Sequence, residues 1–158
     1  MITSDILKLS KKLKLDSKKL VFTNGCFDIL HVGHVRYLEE ARTYGDFLLI
    51  GLNSDLSVKR LKGDERPFIS QDDRAELLMA LKCVDKVVIF DEETPLNLIR
   101  MLKPDVLVKG ADYKMDEIVG AKDMISWGGE VKNLSFVDGY STTSLVDKIQ
   151  NLRNNKKS

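Results

Sequence analysis

Short apolar strand patterns alternate with helical patterns along this 158-residue chain. The strand patterns are rich in valine, isoleucine, leucine and phenylalanine, and they cover residues 20–23, 47–52, 86–90, 106–109 and 131–136. The continuous apolar run 47–52 is typical of a strand that is buried on both faces of a sheet. The alternation predicts parallel strands joined by right-handed crossovers, and hence a single-domain, doubly wound (Rossmann-like) α/β fold.

The helical patterns carry start and end signals, and they cover residues 35–44, 71–81, 94–102 and 141–152. Thr94 predicts an N-cap with Pro95 at the first helical position, and Gly45 predicts a C-cap. Residues 57–70 are polar and charged and are interrupted by glycine and proline, so they predict a mobile loop over a site.

Length and composition limit the organisation of the chain. We expect an amphipathic helix in residues 1–18, a main domain over 19–152 and a disordered tail at 153–158. The net charge of +1 provides no field that would attract nucleic acid or a membrane surface. No apolar run approaches the ~18 residues of a membrane span. The start of the chain does not resemble a signal peptide, and two cysteines without a Cys-x-x-Cys motif favour a reduced, cytoplasmic protein.

The fold class predicts where a ligand would bind. In doubly wound sheets, ligands bind beyond the carboxyl ends of the strands, at the point where the strand order reverses. That rule places four segments on one edge of the sheet, namely 24–34, 53–55, 109–113 and 139–143.

The motif His31-Val-Gly-His34 is the most informative of these segments. Gly33 lets the backbone approach a ligand, and a helix that begins here directs free N–H groups and its positive dipole end at an anion. Two imidazoles beside it can stabilise charge that develops on a phosphate. The alternative is a pair of structural helix-capping histidines. A zinc site is disfavoured because the two further ligands that it needs have no convincing source, so we predict no metal-ligating residues.

The other segments offer complementary groups. Backbone N–H groups in 24–28 can hold a phosphate or a base edge, whereas a nucleophilic role for Cys26 is disfavoured because the sequence shows no partner base. Polar groups in 53–55 can bind sugar hydroxyls or, alternatively, cap a helix. A cluster of cations can close over a triphosphate, or can simply form a charged surface, and it consists of Lys59, Arg60, Lys62 and Arg66.

The last two segments complete a possible nucleotide site. Gly110 permits close approach, and Asp112 or Tyr113 can contact a base or ribose. Hydroxyl groups at the start of the last helix make a second phosphate cradle, although Ser141 can act as a plain N-cap. The absence of P-loop and dinucleotide-binding motifs disfavours those two classes.

These motifs carry a resemblance. The string Gly25-Cys-Phe-Asp-Ile-Leu-His-Val-Gly-His34 resembles the signature of the cytidylyltransferase-like nucleotidyltransferases, and Gly139-Tyr-Ser-Thr-Thr143 resembles their second motif. Further matching strings are Asn53-Ser-Asp55, Lys59-Arg-Leu-Lys-Gly-Asp64, Arg66-Pro67, Val108-Lys-Gly-Ala-Asp-Tyr113 and Gly128-Gly-Glu-Val131. The combination, across 19–150, is similar to the D-glycero-β-D-manno-heptose-1-phosphate adenylyltransferases, and this resemblance implies that 19–152 form a nucleotidyltransferase domain.

The resemblance implies a reaction and its partners. ATP and heptose 1-phosphate would give ADP-heptose and pyrophosphate with Mg²⁺, which is bound mainly through the ATP phosphates. The product would feed lipopolysaccharide or other surface-glycan assembly in bacteria. A separate heptose kinase would be needed because 158 residues leave no room for one. The resemblance also implies a homodimer, with no nucleic-acid or membrane partner.

The resemblance and the residue patterns together predict roles for individual residues. His31 and His34 would stabilise the transferring α-phosphate, and Lys62 would reach the ATP phosphates. The predicted nucleotide-binding residues are Thr23, Asn24, Gly25, Cys26, Phe27, Gly33, Lys109, Gly110, Asp112, Tyr113, Ser141, Thr142 and Thr143. The predicted residues for the acceptor substrate are Asp28, Asn53, Asp55 and Arg60.

Three alternatives stay open at this point. One is cytidylyl transfer to a polyol or amino-alcohol phosphate, which is weakened because Phe136 stands where glycerol-phosphate cytidylyltransferases typically carry an arginine. The second is adenylyl transfer to a flavin or pantetheine phosphate. The third is a nucleotide-binding module without catalytic activity.

Overall fold

A computed structural model describes residues 4–110, 114–135 and 141–155 of this protein. Its strands are β1 (Leu20–Gly25), β2 (Phe47–Asn53), β3 (Lys86–Phe90), β4 (Val106–Gly110) and β5 (Glu130–Leu134). They form one parallel sheet in the order β3-β2-β1-β4-β5. The chain runs from β1 outward to β3 and then returns to the other side of β1, so the order reverses between β1 and β4. The predicted doubly wound, Rossmann-like α/β fold is confirmed.

Helices connect the strands and cover the sheet. They are α1 (Ser4–Leu15), α2 (Val32–Arg42), α3 (Asp55–Lys62), α4 (Gln71–Met79), α5 (Leu96–Leu102), α6 (Ala121–Ser126) and α7 (Thr142–Asn155), and a short 3-10 helix spans Met115–Glu117. None of the helices in the described ranges has the length and apolar character needed to cross a membrane.

Two hydrophobic clusters lie on opposite faces of the sheet. Because side chains alternate along a strand, Phe22 packs with α1, α5 and α6, whereas Val21 packs with α2 and α4. Both side chains are fully buried, and burial of one such side chain stabilises the fold by about 1.5–3 kcal/mol. On α1, Ile6 and Leu13 face the core, in agreement with the predicted amphipathic character of this segment.

The boundaries of helices α2 and α5 differ from the prediction. Helix α2 begins at Val32, three residues earlier than predicted, and ends at Arg42 with Thr43 as its C-cap. Gly45 therefore has another purpose: a Cβ added there would lie 2.7 Å from Cγ2 of Val21, so the tight packing against β1 requires a glycine. Helix α5 begins at Leu96, and Pro95 occupies the N-cap that was predicted for Thr94.

The predicted loop 57–70 is wrong in its first part, because helix α3 continues to Lys62. The hydroxyl of Ser54 caps this helix and accepts a hydrogen bond from the backbone N–H of Ser57. Helix α7 extends to Asn155, three residues beyond the predicted end, and residues 156–158 of the predicted tail lie outside the described residues.

Candidate active site

A cavity of about 520 Å³ opens at the carboxyl ends of β1, β2 and β4, and this volume is typical of a small-molecule site. The four segments that the sequence predicted to share this edge all contribute to it. The lining residues are Asn24, Gly25, Cys26, Phe27, Asp28, His34, Tyr37, Asn53, Leu61, Lys62, Arg66, Lys109, Gly110, Thr142 and Thr143. Residues 111–113 and 139–140, including the predicted Asp112 and Tyr113, lie outside the described residues.

The two histidines stack on each other at the start of α2. Their ring centroids are 3.8 Å apart with an interplanar angle of 23°. The edge of Phe27 contacts His34 at a centroid distance of 5.2 Å, and the backbone of Phe27 adopts a left-handed φ of 44° that few non-glycine residues take. His34 lines the cavity, while His31 supports its ring and Gly33 is buried in the first turn between them.

The geometry determines which ring nitrogen of His34 carries a proton. The backbone N–H of His31 donates to Nδ1 of His34 at 3.4 Å, so the neutral ring carries its hydrogen on Nε2. Burial, reinforced by the adjacent His31, lowers the pKa of His34 to about 4. Burial also lowers the pKa of His31. At neutral pH and without a bound anion, His34 is therefore a neutral N–H donor, and an arriving phosphate would raise its pKa.

Thr23 does not line the cavity, although the sequence predicted that it binds nucleotide. Its side chain is fully buried, and its hydroxyl oxygen lies 2.7 Å from the hydroxyl of Tyr37. The Tyr37 hydroxyl also donates to the carbonyl of Val108, and burial raises the pKa of Tyr37 to about 12, which keeps the phenol protonated. Tyr37, which the sequence reading missed, thus lines the cavity in place of Thr23 and links β1 to β4.

The carboxylate of Asp28 is already satisfied by protein groups. It is buried, and it accepts hydrogen bonds from Nε of Arg66 and from the backbone N–H groups of Phe68 and Ile69 at 2.8 and 3.1 Å. Asp28 therefore holds the loop after α3 against the β1–α2 turn, and because it also lines the cavity its contact with the acceptor substrate stays a prediction.

Two other predicted acceptor residues, Asp55 and Arg60, lie outside the cavity lining. Asp55 pairs with Arg74 at 2.7 Å, and the exposed Arg60 donates to the carbonyl of Asp91. Asn53 does line the cavity, where its amide nitrogen donates to the hydroxyl of Ser57 at 3.0 Å. The structure thus brings only Asn53 of these three to the site.

Arg74 holds together several segments that form the site, and the sequence analysis did not identify it. Its guanidinium is buried, and its acceptors are the carbonyls of Cys26, Asn53 and Ile69 and the carboxylate of Asp55. One side chain thereby joins the ends of β1 and β2 to α3 and to the loop before α4. A buried arginine at this position of α4 could be interpreted only once the fold was known.

Two lysines place positive charge in the cavity. Lys62 is exposed at the end of α3, whereas Lys109 is largely buried at the end of β4 and donates to Oδ1 of Asn24. Burial lowers the pKa of Lys109 to about 8. Burial also raises the pKa of the Cys26 thiol, against the opposing effect of nearby cations, so a thiolate is disfavoured there.

The start of α7 closes the cavity. The hydroxyl of Ser141 accepts a hydrogen bond from the backbone N–H of Ser144 at 3.0 Å, as an N-cap does. The hydroxyl of Thr142 donates to the carbonyl of Ile29 at 3.5 Å, which links α7 to the β1–α2 turn. Thr142 and Thr143 line the cavity, and the phosphate contact that the sequence predicted for them stays a prediction.

Across the described residues, no cluster of three or more histidine, cysteine, aspartate or glutamate side chains could hold a metal ion. Among the lining residues that the structure describes, Asp28 is the one carboxylate, and its oxygens already accept three hydrogen bonds. These residues do not form a protein cage for Mg²⁺. They are compatible with an ion that arrives on the phosphates of a nucleotide.

Comparison with known proteins places these features in context. The cytidylyltransferase-like family model matches residues 22–148. The chain is 59% identical over 136 residues to the bifunctional protein HldE of Geobacter sulfurreducens, covering 86% of this chain and 28% of that protein. It is 60% identical over 149 residues to the bifunctional protein HldE of Campylobacter concisus, covering 94% of this chain and 30% of that protein. The chain thus spans less than a third of the length of these curated relatives.

A solved structure is also similar. The crystal structure of the lipopolysaccharide core biosynthesis protein from Thermoplasma volcanium superposes with a TM-score of 0.63 at 31% sequence identity. The match covers 78% of this chain and 99% of that chain. Both the sheet and the helices that carry the cavity thus follow a known architecture.

Proposed function

The chain belongs to the cytidylyltransferase-like family, and we propose that it transfers AMP from ATP to heptose 1-phosphate, which yields ADP-heptose and pyrophosphate. The observation that carries this proposal is the stacked histidine pair, with His34 facing a cavity that also contains Lys62 and Lys109. The motif combination that resembles heptose-1-phosphate adenylyltransferases supports the choice of substrates. Relatives named bifunctional protein HldE, at 59–60% identity, support the same choice.

The chemistry of the acceptor explains why the site needs no general base. The second pKa of a phosphate monoester is about 6, so a sugar phosphate is mostly a dianion at neutral pH. One of its oxygens attacks the α-phosphorus of ATP, the bond from that phosphorus to the bridging oxygen breaks, and pyrophosphate leaves with the electron pair. The site must therefore hold two polyanions in line and stabilise the charge between them.

The residues of the cavity match that requirement. The neutral Nε2–H of His34 donates to an α-phosphate oxygen as charge builds up on it, and His31 fixes the ring from behind. Lys62 neutralises the phosphates from the α3 side, and Lys109 does so from the β4 side. The N–H groups and hydroxyls at Thr142 and Thr143 bind further phosphate oxygens.

Magnesium enters this proposal as an ion carried by the triphosphate, where it neutralises phosphate charge when bound. The substrate heptose 1-phosphate would come from a sugar kinase activity. The product would serve surface-glycan assembly, such as lipopolysaccharide biosynthesis. We also propose that the protein works as a homodimer, which sedimentation equilibrium would test.

The experiment combines each nucleoside triphosphate with a set of phosphate acceptors and measures pyrophosphate release. We expect turnover with ATP and heptose 1-phosphate that exceeds every other pair. Faster turnover of CTP with glycerol 3-phosphate would establish the cytidylyl alternative instead. Binding of ATP without turnover on any acceptor would establish a nucleotide-binding module.

A further inference from the structure

Arg66 lines the cavity but has no role in the reaction as proposed above. It belongs to the loop that follows α3, and its side chain lines the cavity with 21% of its surface exposed. Its Nε–H donates to the buried carboxylate of Asp28. The ring of Phe68 covers one face of the guanidinium, with Cζ of Arg66 4.6 Å from the ring centroid.

These two contacts immobilise the guanidinium and leave one of its edges available. The contact with Asp28 uses Nε alone. Within the described parts of the chain, the terminal nitrogens of Arg66 donate to no protein acceptor. Two parallel N–H groups on that edge match two oxygens of a phosphate. A guanidinium that is already held in place loses little conformational freedom when it binds such a ligand.

The pairing with Asp28 does not cancel this capacity. The Asp28 carboxylate is only 2% exposed, against 21% for the Arg66 side chain, and it also accepts hydrogen bonds from the backbone N–H groups of Phe68 and Ile69. The donors of Arg66 are therefore more accessible to a ligand in the cavity than the carboxylate oxygens are.

The cationic side chains of the cavity come from two different sides of strand β1. Lys62 and Arg66 come from the chain that follows β2, whereas Lys109 comes from the end of β4. Strand β1 lies between β2 and β4 and leads directly to the turn before His34. If two polyanions react beside His34, positively charged side chains therefore lie on both sides of the reacting phosphorus.

We propose that Arg66 binds the phosphate group of the acceptor sugar phosphate and directs its attacking oxygen toward the α-phosphorus. This inference rests on the proposed adenylyl transfer and deepens it. It assigns to Arg66 the phosphate contact that the sequence predicted for Arg60, whose guanidinium instead contacts the carbonyl of Asp91 outside the cavity.

The decisive variant is Arg66→Lys, which keeps the charge and can still pair with Asp28 but lacks the two-pronged edge. We expect the KM for heptose 1-phosphate to rise about tenfold or more, the equivalent of about 1.4 kcal/mol, while the KM for ATP stays within about threefold. Lys122→Ala is the matched control, because it removes a positive charge from an exposed position of α6 outside the cavity. The control should leave both constants within about twofold.

Calorimetric binding of each substrate alone separates the possible failures. A tenfold weaker affinity of Arg66→Lys for heptose 1-phosphate, with unchanged affinity for ATP, supports the inference even if the wild-type protein shows no turnover and the proposed reaction fails. Equal losses for both substrates, or a larger loss for ATP, overturn the inference. A lower melting temperature with unchanged substrate affinities also overturns it, because Arg66 would then only anchor its loop. A wild-type protein that does not bind heptose 1-phosphate overturns both proposals.

Discussion

In the proposed mechanism His34 acts through a single hydrogen atom, the one on Nε2, because its Nδ1 already accepts the backbone N–H of His31. We expect His34→Ala to lower kcat by about 100-fold or more, which is the scale for loss of a donor that acts in the transition state. The KM for ATP should change only a few-fold, because the lysines and the α7 start remain. Steady-state pyrophosphate release would measure both constants.

The exposed residue Glu40 on the same helix offers a control, since Glu40→Gln should leave turnover unchanged. Near-normal turnover of His34→Ala would remove the central residue from the proposed mechanism.

Lys109 predicts a pH dependence of nucleotide binding. Burial lowers its pKa to about 8, so the side chain is charged below that pH and loses its charge as the pH rises through it. A bound phosphate favours the charged form and moves the transition upward. We expect ATP affinity, measured by calorimetry from pH 6.5 to 9.5, to fall at the alkaline end. Lys109→Arg keeps its charge and should give a flatter profile, whereas profiles that run parallel would contradict this assignment.

At the scale of elements, Arg74 joins four parts of the fold through one buried guanidinium. Arg74→Met removes the donors and leaves the carbonyls of Cys26 and Asn53 and the carboxylate of Asp55 without this partner. We expect the free energy of unfolding to fall by about 3–5 kcal/mol, the usual cost of breaking a buried charged network. Urea denaturation would measure it, with Glu76→Gln on the exposed face of α4 as the control. A loss below about 1 kcal/mol would show that water replaces these contacts.

The elements also show what the sequence could predict. Strands β1 and β2 were predictable because both of their faces are buried, which demands continuous apolar residues. Helix α3 was not, because only Val58 among its apolar side chains is buried, while Leu56 and Leu61 are 63% and 47% exposed. Without an apolar stripe, a helical pattern does not appear in the sequence.

Some residues of the candidate site were likewise predictable from the sequence, and others were not. Residues next to strand ends, such as Asn24 and Lys109, were predictable because the edge of a parallel sheet collects them. Tyr37 and Arg74 were missed, and Arg66 was recognised only as one of a cluster of cations, because the contacts of these three residues involve partners that are distant in sequence. The contact between Arg66 and Asp28, for example, joins residues 38 positions apart.

At the scale of the whole molecule, the burial of side chains differs strongly between the central strands and helix α7. Strands β1 and β2 lie between the two hydrophobic clusters. Helix α7, in contrast, has no buried side chain between Ser141 and Leu152. A segment with few buried contacts opens locally at low cost, so stability should vary strongly across the molecule. Thr142 and Thr143 at the start of α7 line the cavity. A ligand that contacts them should therefore stabilise this helix against local opening.

Hydrogen exchange followed by mass spectrometry would test this distribution. We expect the amides of α7 to exchange much faster than those of β1 in the ligand-free protein, and to slow when ATP binds, because phosphate oxygens then hold the start of the helix. Helix α1 is an internal control of similar length. It packs Ile6 and Leu13 into the core far from the cavity, so its exchange should not respond to ATP. If ATP slows exchange in the β1–α2 turn but leaves α7 unchanged, the second phosphate cradle is not part of the site, and the triphosphate is held by the histidine turn and the lysines alone.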